Sequence, residues 1–116
     1  MDFKLLAVGD VVGNPGMDRI CRSLRYVKRQ TNADFVIVNG ENASVVGMTP
    51  QQAEDIFDAG ADVITMGNHT FGKRELVDYM EDNSRILRPA NYAPQAPGRG
   101  WGIYDSKAGD IAVIDL

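Results

Sequence analysis

The chain opens on a short apolar run, Phe3 to Gly9 ("FKLLAVG"), that ends in a cluster rich in Gly, Asp and Pro, the pattern of a buried parallel strand. Past "DVVGNPG", Met17, Ile20, Cys21, Leu24 and Val27 recur at helical spacing, while Arg19, Arg22, Arg25 and Lys28 fall mostly on other faces. That predicts an amphipathic helix. Asp34 to Gly40 ("DFVIVNG") repeats the strand pattern. Thr49-Pro50-Gln51-Gln52 then reads as a helix start, with Thr49 as N-cap, Pro50 in the first position and Gln52 reaching back; Gly60 ends that helix. Asp62 to Gly67 ("DVITMG") predicts a third strand, and Leu76, Val77 and Met80 a third helix.

Three successive βα units imply an α/β fold, because parallel strands need crossovers and the crossover helices cover the sheet. From Arg88 to Gly100 ("RPANYAPQAPGRG") prolines and glycines exclude a regular element, and a long ordered loop is expected. "WGIYDS" and "DIAVIDL" flank "KAG" and predict a β-hairpin or two successive strands. No repeat, low-complexity tract or linker interrupts the series, so 116 residues make one domain.

Composition narrows the partners. The chain is 44% hydrophobic and 24% charged, an ordinary globular balance. Its net charge of −4 and pI near 4.8 argue against non-specific binding to nucleic acid or to an anionic membrane, both of which need a basic patch. With Cys21 alone, no internal disulfide forms, and no apolar stretch is long enough for a signal peptide or a membrane span; a cytoplasmic location is expected.

In an open parallel sheet the strand C-termini share one edge, and ligands bind in the crevice there. The first βα loop carries Asp10, the second Glu41 and Asn42, and the third Asn68 and His69, the only histidine. Each has a structural reading. Asp10 could cap the first helix or close a turn with Asn14-Pro15-Gly16, and a lone histidine is more often a hydrogen-bonded structural group than a catalyst. Glu41 fills no capping role that Asp or Ser would not fill better. Convergence of all three loops on one edge favours a shared site. Two carboxylates, carboxamide oxygens and an imidazole suit Mn, Fe, Zn or Mg. A two-metal centre could clamp both oxygens of a phosphate ester and supply a hydroxide nucleophile. The alternatives fit less well: "GDVVGNPG" matches neither dinucleotide nor P-loop fingerprint, no G-x-S-x-G elbow is present, and Cys21 falls in the helix's apolar stripe, where a core role is expected.

"GDVVGNPG", "NGENAS", "ITMGNHTF" and "RPANYAPQAPGRG", in this order and spacing, resemble the YmdB-type branch of the calcineurin-like metallophosphoesterases over nearly the whole chain. The resemblance implies a metallophosphoesterase-like sandwich and a phosphodiesterase acting on 2′,3′-cyclic nucleotides with two iron or manganese ions. It implies Asp10 as the first ligand, Glu41 as the bridging carboxylate, Asn42 and Asn68 as oxygen ligands, and His69 as the proton donor to the leaving oxygen. Val12 stands where the wider superfamily has a histidine, a change this branch shares. The family draws three further histidine ligands from later loops, so residues 1–116 are expected to be the N-terminal part of a single domain, its sheet stopping after the first half. Four oxygen donors cannot fill two shells of about four to six ligands each.

Two other classes stand beside the enzyme reading. One is a non-catalytic metal- or nucleotide-binding regulatory module. The other is an interaction protein whose unpaired last strand, Ile111 to Leu116, recruits a second copy by edge pairing, and a homo-oligomer is expected on that ground.

Overall fold

The apolar runs become strands and the periodic segments helices in the computed structural model, which describes residues 2–116. In chain order these are β1 (Leu5–Val8), α1 (Gly13–Thr31), β2 (Phe35–Asn39), α2 (Pro50–Ala59), β3 (Val63–Thr65), α3 (Glu75–Glu81), β4 (Ile86–Leu87), β5 (Trp101–Ser106) and β6 (Gly109–Ile114). β1 to β4 form one parallel sheet in the order β1-β2-β3-β4, with Leu5 opposite Phe35, Ile37 opposite Val63 and Ile64 opposite Ile86. β5 and β6 form a separate antiparallel pair.

Alternation along the strands sorts the core into two layers. Val36, Val38, Ile64 and Ile86 face the helices and pack with Met17, Ile20 and Leu24 of α1, Ala53 and Ile56 of α2, and Leu76 and Met80 of α3. Phe35, Val63 and Leu87 face the other way and pack with Tyr104 and Val113 of the hairpin. The result is helices, parallel sheet and hairpin in three layers. Among these, α2 follows its sequence signals closely. The Thr49 hydroxyl accepts from Gln52 N at 3.1 Å, the Gln52 side chain accepts from Thr49 N at 2.9 Å, and Gly60 closes the helix at φ +124°.

Several expectations are corrected. β1 is not buried but the edge strand, and Leu5 is 52% exposed because the hairpin covers β2 to β4 only. Asn14-Pro15-Gly16 is no turn; it forms the first turn of α1, where a proline costs nothing because the amide it lacks would have no partner. Cys21 is exposed rather than core, since the buried line runs through Gly13, Met17, Ile20 and Leu24 and the thiol falls beside it. Partial burial, then the Asp55 and Asp18 carboxylates, push that thiol above its usual pKa. β4 is a strand the sequence does not announce. β6 is not unpaired: Trp101 to Ser106 pair with it along its whole length.

The 88–100 segment is an ordered loop. Arg88 is buried and donates to the carbonyls of Pro97, Pro89 and Ala96 at 3.2, 3.0 and 3.4 Å, tying the loop to itself. Among the described residues no helix is long and apolar enough to cross a membrane.

Candidate metal centre

The three βα loops meet at the C-terminal edge of β1, β2 and β3. Backbone bonds fasten them: Val11 N donates to Asn39 O at 3.1 Å, Gly13 N to Asn42 O at 3.0 Å and Gly40 N to Thr65 O at 2.9 Å. Two residues here hold left-handed backbone that their side chains disfavour, Asp10 at φ +23° and Val45 at φ +70°. Strain of this kind concentrates at functional loops.

Four of the five sequence candidates form one chain of contacts. Asn42 Nδ2 donates to Asp10 Oδ1 at 2.8 Å, Asn42 Oδ1 meets His69 Nδ1 at 2.6 Å, and Glu41 Oε2 lies 3.8 Å from that nitrogen and accepts from His69 N at 3.4 Å. Asp10 neither caps α1 nor closes a turn; the cap position is Val12, without a side-chain bond. A carboxylate only accepts, so Asp10 fixes which end of the Asn42 amide is oxygen. That oxygen requires a proton on His69 Nδ1, which leaves Nε2 as the nitrogen able to exchange a proton with a ligand. Asn68 is the fifth candidate; it is exposed, and its side chain has no hydrogen bond among the described residues.

Glu41 is the best evidence for a cation. Its side chain is only 18% exposed, yet it accepts a single long hydrogen bond, far short of a carboxylate's capacity of about four. It lies directly over the backbone of Gly67, where a Cβ would collide with all three carboxyl atoms. An underused, acceptor-only group in a cradle kept open by glycine fits a hard cation, with Asp10 and the amides of Asn42 and Asn68 as further oxygen donors. The Asn42 oxygen has two lone pairs, so it can serve as a donor and keep its contact with His69. Among the described residues no three His, Cys, Asp or Glu side chains are grouped to hold an ion.

A family model described as YmdB-like protein matches residues 6–116. The chain belongs to the YmdB-like family. The chain is 39% identical over 98% of its length to a Bacillus subtilis protein named 2′,3′-cyclic-nucleotide 2′-phosphodiesterase, covering 44% of that protein. A Mycoplasma pneumoniae crystal structure described as a novel phosphatase superposes with TM-score 0.86 at 32% identity, over 98% of this chain and 42% of that one. A crystal structure of a hypothetical protein from Thermus thermophilus gives TM-score 0.85 at 28% identity, over 95% and 43%. The chain thus spans less than half the length of these relatives.

Residues outside the five candidates also shape the site. Asp115, buried behind β3, accepts from Met66 N at 3.0 Å, one residue before Gly67. Burial above all, and then the Glu41 charge, push its carboxyl up to about 6. Tyr92 of the long loop donates its hydroxyl to Gly67 O at 3.0 Å, and that same carbonyl accepts from Thr70 N at 3.0 Å and Thr70 Oγ1 at 2.5 Å. Three donors on one carbonyl pin the turn that carries Asn68 and His69. The one available signal for Asp115 was a carboxylate closing an apolar run, as Asp10 does after β1.

Proposed function

We propose that the whole protein is a metal-dependent phosphodiesterase that opens 2′,3′-cyclic nucleotides at a dinuclear iron or manganese centre, Zn and Mg being the other candidate ions. The observation that carries this reading is the Glu41 carboxylate, short of partners over Gly67 and joined through His69 and Asn42 to Asp10. The name of the B. subtilis relative supports the substrate class. Asp10, Glu41, Asn42 and Asn68 would hold the ions, which when bound polarise the phosphate and lower the pKa of a water to make it a nucleophile at neutral pH. The chain's own contribution to the chemistry is the imidazole. As water oxygen bonds to phosphorus and the bond from phosphorus to the 2′ oxygen breaks, that oxygen needs a proton, which His69 as imidazolium would give from Nε2 while keeping its Nδ1 proton on Asn42 Oδ1.

A homo-oligomer and a cytoplasmic location belong to the same proposal, and the lone thiol suits the latter. The decisive test is hydrolysis by the full-length protein. With Mn or Fe it should convert adenosine 2′,3′-cyclic phosphate to the 3′-phosphate and stop when the metal is chelated. A full-length protein that binds metal and nucleotide but releases no product would make it the regulatory module instead.

A further inference from the structure

The turn that presents His69 also presents an aromatic ring. Gly72 N donates to His69 O at 2.9 Å, closing a four-residue turn in which Phe71 holds the third position. Phe71 is 39% exposed, and its ring lies 6.0 Å from that of Tyr92, tilted by 39°. Tyr92 is in turn fixed by its bond to Gly67 O, so Phe71 rests on an immobilised partner. Val46, itself 46% exposed, abuts Gly72 from the β2–α2 loop. Exposed aromatic residues scattered over a surface need no explanation. This one is different because it is buttressed from behind and stands two residues from the proposed proton donor.

We infer that Phe71, backed by Tyr92 and flanked by Val46, is the platform on which the base of a nucleotide substrate stacks. The inference rests on the phosphodiesterase reading and adds to it the group that recognises the nucleoside. In a 2′,3′-cyclic nucleotide one ribose separates phosphate from base, so a substrate whose phosphate lies at the oxygen-lined floor must rest its base on the adjoining rim. That rim offers an aromatic ring and a valine, with the stem of Lys73 packed beside Gly47 next to them. Stacking on a ring tolerates every base, because each has a π face. The platform therefore selects nucleotides over base-free phosphodiesters, with little discrimination among bases.

The test compares adenosine 2′,3′-cyclic phosphate with glycerol 1,2-cyclic phosphate, which carries the same type of strained ring and no base. In the full-length protein, Phe71→Ala should lower the preference for the nucleotide, taken as the ratio of kcat/KM values, by about 5- to 150-fold, the range expected for losing one base–aromatic stack. The change should appear in KM, and Phe71→Trp should restore the preference. An unchanged ratio in Phe71→Ala, with wild type active on both substrates, overturns the platform and leaves the phosphodiesterase standing. If wild type hydrolyses neither substrate, the phosphodiesterase reading falls, and Kd values for adenosine 2′,3′-cyclic phosphate in the metal-free proteins decide the platform alone. Weaker binding by Phe71→Ala than by wild type supports it; equal binding overturns it.

Discussion

Gly67→Ala separates the site from the fold. The glycine's φ is not left-handed, so alanine fits the backbone there without strain, and it reduces the freedom of the unfolded chain, an effect worth about 0.4–1 kcal/mol in favour of folding. The obstacle is Glu41: a Cβ at position 67 would stand 2.5 Å from its Cδ and 2.6 Å from Oε2. Ordinary contact is nearer 3.5 Å, so the carboxylate must retreat by about 1 Å. It can do so, because it is the end of a flexible side chain held by one long hydrogen bond. The variant should therefore melt within about 1 kcal/mol of wild type and yet lose affinity for Mn by about 10- to 100-fold, the usual result of disturbing what orients a ligand. Calorimetric titration of the full-length protein with Mn, paired with denaturation of the metal-free form, measures both quantities. Unaltered Mn affinity in a folded Gly67→Ala protein would refute the assignment of Glu41 to the centre. A large loss of stability would show instead that Glu41 is held in place for packing.

Further outcomes follow from the same contacts. In the full-length enzyme His69→Ala should slow turnover by about 10²- to 10⁴-fold, the usual worth of a general acid, with metal content near wild type; metal lost in step with activity would make the imidazole a ligand. The Asp115 carboxyl is raised from 3.8 to about 6 in the folded chain, so folding favours its protonated form. Stability from this group is complete below pH 3.8 and is lost as the pH rises through 6, by at most about 3 kcal/mol and less where solvent screens the charge. Urea unfolding of the metal-free protein from the acid side of that window to neutral pH should show that slope in wild type and lack it in Asp115→Asn; identical slopes would contradict the burial argument. Val45, exposed and β-branched at φ +70°, should tolerate Asn with a gain of about 1 kcal/mol, because Asn enters that region more readily. A lower denaturation midpoint for Val45→Asn would mean the valine contributes packing that outweighs its strain.

The parts of the fold that were legible in the sequence are those set by local chemistry. Thr49, Pro50, Gln52 and Gly60 specify both ends of α2 without help from the rest of the chain. The last two strands were legible as runs separated by "KAG", and the structure decides that they pair as a hairpin. What escaped depends on neighbours. Ile86 and Leu87 are too short a run to show a period, and they become a strand because β3 offers an edge to pair with. Cys21 has the spacing of a core residue, and only the way α1 lies on the sheet decides that Ile20 and Leu24 go inward without it. At the site, strand order is enough to bring Asp10, Glu41, Asn42 and His69 to one edge. The order of contacts among them, and the roles of Tyr92 and Asp115, depend on a loop and a terminal strand whose paths no periodicity encodes.

The strand order β1-β2-β3-β4 also has a consequence for how the chain is made. Each strand of the sheet pairs with the one synthesised just before it, so the helical layer can assemble unit by unit as the polypeptide leaves the ribosome, with short loops to close at each step. The opposite face has no such schedule. Phe35, Val63 and Leu87 wait for Tyr104 and Val113, which come from strands produced later. Until those emerge, a half-built sheet displays a bare aromatic and aliphatic surface beside an open β1 edge. A ribosome stalled before Trp101 would release a species prone to aggregate.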